Sequence, residues 1–102
     1  MERIYHAEFT ALDGTVLTSG TPVVVHGFNI ATNAADNGSL IQLINGTSGS
    51  GTVVIEHHLP EVDATLHTQS HTVMFPFGIV FPAGCFVTSG SIVSATVFYS
   101  KL

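Results

Sequence analysis

Apolar and polar residues alternate along this chain with a period of two, in short runs separated by Gly, Pro, Asn and Asp, which is the pattern of strands rather than helices. In the first run, residues 4–12, Tyr5, Ala7 and Phe9 share one face and His6, Glu8 and Thr10 the other. Asp13-Gly14 reads as a tight turn, with Thr15–Thr18 leading away from it. After the break at Ser19–Pro22, the run Val23–Ile30 begins apolar on both faces, as a strand covered on both sides would. Gly27 inside it marks a bulge or a close backbone approach.

Residues 32–38 read as a loop closed by an Asn37-Gly38 turn. Ser39–Ile44 and Thr52–His58 then form a hairpin across the polar, flexible tip Asn45–Gly51. Pro60–Asp63 is irregular. Strand patterns return at Thr65–Thr72, in the dense apolar stretch Val73–Pro82, at Phe86–Thr88, and, after a Ser89-Gly90-Ser91 break, at Ile92–Ser100. Pro76 and Pro82 cannot donate to a ladder, so they belong at an edge, a bulge or a strand end. No segment has helical periodicity and none repeats. The pattern predicts an all-β fold: a single antiparallel β-sandwich or jelly-roll-like domain of about eight strands over residues 1–102.

Composition narrows what such a domain can do. Hydrophobic residues make up 45% of the 102 positions and charged residues only 9%, against roughly 25% in an ordinary soluble domain. Richness in β-branched and aromatic residues excludes a disordered chain. No apolar run is long enough for a membrane helix, and no basic, apolar leader is apparent. Arg3 and Lys101 are the only basic residues, set against seven acids. Phosphate recognition needs clustered Lys and Arg, so neither nucleic acid nor an anionic membrane surface is an expected partner.

Several residues invite chemistry. Six histidines suggest metal binding, since imidazole is the commonest metal ligand. His67 and His71 are four apart and would share a strand face; His57 aligns with Val53 and Ile55, and His58 with Val54 and Glu56. No spacing compels three or four ligands to converge as zinc requires, so no metal or cofactor is expected. Gly46–Gly51 departs from both the nucleophile-elbow and phosphate-loop patterns. Glu56, Glu61 and Asp63 gather around Pro60 without an aromatic platform beside them, and read as solvated. Asn37 and Asn45 head glycosylation sequons, which matter only in a secretory pathway. Cys85, with no partner thiol, reads as a small buried hydrophobe. No catalytic residue is assigned.

Bulk apolar character is the stronger signal. Phe75, Phe77, Phe81 and Phe86 lie within twelve residues, beside Met74, Pro76 and Pro82. A domain this small has a limited interior, and an uncharged apolar surface needs another chain to cover it. Self-association into a homo-oligomer, such as a trimer, is therefore expected. Phe75, Phe77, Phe81, Phe86, His67 and His71 are the candidate interface residues.

Gly78, Ile79, Phe81, Gly84 and Val87, followed by a last strand ending in Phe98-Tyr99, resemble a strand-pair pattern in small virion proteins of tailed bacteriophages. The stretch Asn29–Thr47 resembles the same proteins more loosely. The resemblance implies a non-enzymatic capsid decoration (cement) protein located in the virion, with the major capsid or another virion protein as partner. A neck, tail or fibre component is the alternative within that class. A carbohydrate- or metal-binding module using His57, His58, His67 or His71 is the alternative outside it.

Overall fold

β-branched and aromatic side chains at alternate positions favour extended backbone, and strands make up most of the described residues. The computed structural model describes residues 3–9, 13–16, 20–32, 40–58, 69–90 and 94–102. Within these the strands are β1 (Tyr5–Phe9), β2 (Asp13–Thr15), β3 (Val23–Thr32) and β4 (Leu40–Asn45), then β5 (Thr52–His58), β6 (Gln69–Phe81), β7 (Cys85–Gly90) and β8 (Ser94–Lys101). They form two antiparallel four-stranded sheets, ordered β1-β8-β3-β6 and β2-β7-β4-β5. No α-helix occurs among the described residues.

Both sheets contribute to one core. The first supplies Val23, Val25, Phe28 and Ile30 from β3, with Phe81 from β6 and Val97 from β8. The second supplies Ile41 and Leu43 from β4 and Cys85 and Val87 from β7. Cys85 is fully buried, as the sequence predicts, and burial pushes its thiol up to about 12.

In β3 the positions that enter the core cluster are odd at Val23 and Val25 but even at Phe28 and Ile30. The switch falls at His26–Gly27, where Val25 faces Tyr99 but Gly27 faces Phe98, so one extra residue is accommodated. A bulge resets which side of the pleat faces the core, and this one keeps both halves of β3 buried. Gly27 is required there because a Cβ would collide with Met74 Sδ and the Val73 carbonyl.

Three local expectations are revised. Asp13-Gly14 is not a turn: both residues pair with β7, Asp13 opposite Thr88 and Gly14 opposite Val87. No strand boundary falls between Thr72 and Val73, because β6 runs from Gln69 to Phe81; residues 65–68 lie outside the described residues. Ser89 and Gly90 do not break the chain but extend β7 opposite Ile41 and Leu40. In each case cross-strand pairing outweighs a local turn signal. The Asn37-Gly38 turn and the Pro60–Asp63 stretch lie outside the described residues.

The 46–51 connector between β4 and β5 is tied down. Gly46 N–H donates to the Gly84 carbonyl (3.0 Å), Gly51 N–H to that of Ser48 (3.3 Å), and Ala83 N–H to Asn45 Oδ1 (2.8 Å).

Candidate functional site

Strand β6 is an edge of the first sheet, bonded on one side to β3. That location explains how Pro76 is tolerated mid-strand. Pairing with β3 is interrupted there: Ile79 lies opposite Val25 and Met74 opposite Gly27. Phe75, Pro76, Phe77 and Gly78 therefore make an excursion across from the single residue His26. Gly78 closes it with φ 72°, where an added Cβ would sit 2.5 Å from Val24 Cγ1. Only glycine enters this conformation without cost.

The excursion sends its two phenylalanines in different directions. Phe75 turns inward and is half-buried, its ring centroid 6.1 Å from that of Phe28. Phe77 is 97% exposed. Met74 and Val80, on either side of the excursion, are 56% and 50% exposed. Behind it, His26 Nε2 lies 2.8 Å from Ser100 Oγ, a bond that holds β3 to β8 at the bulge. Toward the start of β6 the surface becomes polar, with Asn29 Nδ2 donating to Thr72 Oγ1 at 2.7 Å and to Ser70 Oγ at 3.3 Å. The structure thus sets an uncharged apolar knob on an open strand edge.

The other candidate interface residues are distributed differently. Phe81, four positions after Phe77, is completely buried in the core and so is unavailable to another chain. Phe86 is half-buried opposite Ile44, near Gly49 of the 46–51 connector, so its own chain covers much of it. His71 lies on β6 and His67 lies outside the described residues. On β6, Met74 and Val80 join Phe77 as exposed apolar residues although neither is among the candidate interface residues; their signal is the alternation of β6 against its half-buried Val73 and Ile79 positions.

His71 meets the second sheet's edge. Its ring centroid is 5.9 Å from that of His57 on β5, and the His57 ring packs edge-on against Phe28 at 5.7 Å. His57 Nε2 is shielded from solvent and has no hydrogen-bond partner among the described residues. Burial, then the nearby His71 and His58, hold the His57 imidazole below the usual histidine range. On the opposite face of β5, Gln42 Nε2 donates to Glu56 Oε1 (2.6 Å) and His58 Nε2 lies 2.9 Å from Glu56 Oε2. The bond from His58, followed by that from Gln42, holds the Glu56 carboxyl below its ordinary value. The expected division of His57 and His58 between faces is therefore observed. Among the described residues no three His, Cys, Asp or Glu side chains gather closely enough to hold a metal ion.

No protein-family model matches the chain, and no curated protein matches it either. Among solved structures it is similar to a chain from work described as "Bacillus endospore appendages form a novel family of disulfide-linked pili". The two share 12% identity over 100% of this chain and 88% of that one, with a TM-score of 0.40.

Proposed function

We propose that this chain is a non-enzymatic structural subunit that associates with copies of itself through the β6 edge, and that it serves as a capsid decoration protein of a tailed-bacteriophage virion. The exposed Phe77 carries the first part of the reading. A fully burying contact for one such ring contributes about 1.5–3 kcal/mol, and symmetry multiplies it across a homo-oligomer. Met74 and Val80 enlarge the same apolar contact. The fold reading is an eight-stranded jelly roll, supported by the sheet orders β1-β8-β3-β6 and β2-β7-β4-β5, which correspond to two interlocked Greek keys. Jelly rolls serve viral shells and also lectins, so the virion assignment rests on the resemblance of Gly78, Ile79, Phe81, Gly84 and Val87, all on or between β6 and β7. In this reading the decoration layer adds stability to the shell by mass action.

Light scattering of the purified chain at micromolar concentration is expected to give a multiple of 10.7 kDa. Phe77→Asp is expected to return it to 10.7 kDa with its circular dichroism unchanged. A stable wild-type monomer overturns self-association. Quantitative mass spectrometry of gradient-purified particles tests placement: the chain should be present in many copies, and its absence from particles overturns the virion assignment alone.

A further inference from the structure

Cross-strand pairing sorts the outer face of the first sheet into rows. Ala95, Val97 and Tyr99 enter the core, so Phe98 and Ser100 look outward from β8. In one row His6 lies opposite Phe98, Phe98 opposite Gly27 and Gly27 opposite Met74. In the next, Ser100 lies opposite Val24 and Val24 opposite Val80. Alternation puts Ile4 on the side of His6, and Leu102 on the side of Ser100. A further row is polar, with Glu8, Thr96, Asn29 and Thr72 in register.

The apolar half of this face is uncovered. Ile4 (59%), Leu102 (70%), Met74, Phe77 and Val80 are five of the seven large hydrophobic side chains exposed among the described residues. Together they present on the order of 500 Å² of apolar surface, a patch rather than a scatter. A stable dimer takes roughly 800 Å² from each partner, so this half and its polar row match one contact in size. Relief and charge are both lopsided. Phe77 juts from the excursion at the β6 side, whereas His6 at the β1 side keeps regular register with Phe98. Arg3, Glu8 and Lys101 belong to the β1–β8 side, and β6 carries no charged residue.

We infer that this outer face docks on the same face of a second copy of the chain, about a two-fold axis running along the strands between β8 and β3. That axis lays β6 of each copy over β1 of the other, so each Phe77 ring rests beside the partner's Ile4 and the partner's His6. Apolar rows meet apolar rows, Glu8 falls over the uncharged Thr72 end of β6, and Arg3 and Lys101 stay at the rim. A two-fold running across the strands would instead bring the Phe77 rings head-on and gather all four basic residues of the pair on one side, where like charges oppose one another. The contact uses the face beside β1, not its hydrogen-bonding edge, and an isologous contact of this kind closes at two subunits. It rests on the self-association proposed above and names the surface that receives Phe77.

Light scattering of charge variants of the full chain, across a dilution series, tests it. Phe77→Lys and Ile4→Asp should each weaken association by about tenfold or more, because each variant sets two mismatched contacts in its own dimer. Mixed one to one they should regain about tenfold, since one contact is then Lys against Asp and the other is native. Val54→Asp, on β5 and 43% exposed, should leave association unchanged. A wild-type monomer overturns self-association and this inference with it. If the wild type associates, the two-fold face alone is overturned by an Ile4→Asp chain that associates as well as wild type, by a mixture no tighter than its components, or by Val54→Asp as damaging as Ile4→Asp. Should Ile4→Asp fail to fold by circular dichroism, cross-linking decides. With Cys85 buried, a short bis-maleimide should join Phe77→Cys chains to Ile4→Cys chains in preference to like chains, and a preference for like chains overturns the axis.

Discussion

The first sheet ends in two edges of opposite character. At β1 the edge strand is five residues long, Tyr5 stacks on Tyr99 at 5.7 Å, and Lys101 Nζ sits 5.2 Å above the Tyr5 ring. Arg3 precedes it and Glu8 lies within it, and with Lys101 both basic residues of the chain stand at this side. At β6 the edge strand is thirteen residues long and contains no Lys, Arg, Asp or Glu. Charge and brevity are the usual means of keeping a sheet edge away from other chains, and β1 has both. β6 has only Pro76 and the excursion around it. Those interrupt strand-on-strand annealing at mid-length, yet the same excursion thrusts Phe77 outward. The two edges thus differ in kind: β1 carries charge beside a short strand, whereas β6 leaves an uncharged, outward-facing aromatic ring at mid-length.

Four substitutions probe this contrast. Phe81→Ala should have the largest effect, about 3–5 kcal/mol lost in urea denaturation, because it empties a fully buried site. Phe77→Ala in the same experiment should stay within about 0.5 kcal/mol for the isolated subunit; equal losses for the two would dissolve the distinction between the core-facing and outward parts of β6. Gly78→Ala should cost about 1–3 kcal/mol, since the new side chain meets both a left-handed backbone and Val24. An unchanged melting temperature there would mean that the excursion is soft rather than fixed. Lys101→Ala should be milder than Gly78→Ala, about 0.5–1 kcal/mol from the lost contact with Tyr5, with no change in the association measured by light scattering. Altered association in that variant would show that the β1 edge also takes part.

Much of the architecture is visible in the residue pattern, because strands with one buried face imprint their period on the sequence. The β5 segment Thr52–His58, the opposed faces of His57 and His58, the buried Cys85 and the disturbance at Gly27 all follow from alternation and from the special geometry of glycine. The fate of the four phenylalanines does not follow. A strict period of two would place Phe75, Phe77 and Phe81 on one face, but the excursion removes Phe77 from that face and leaves Phe75 and Phe81 on it. A bulge depends on what the neighbouring strand offers, and His26 lies some fifty positions away in sequence. The meeting of His57 with His71 is hidden for the same reason: it joins strands that share no ladder, so no local spacing encodes it. Asp13-Gly14 misleads because its dipeptide preference is weak beside two registered pairs with β7.

The inaccessible Cys85 has a practical corollary. Thiol reagents attack the thiolate at an exposed sulfur, and in the folded chain this sulfur is neither exposed nor ionised at neutral pH. Maleimide labelling of the unmodified protein would accordingly count only those molecules that have opened, so the chain carries its own internal gauge of unfolding, one reporter per subunit, with no engineered probe.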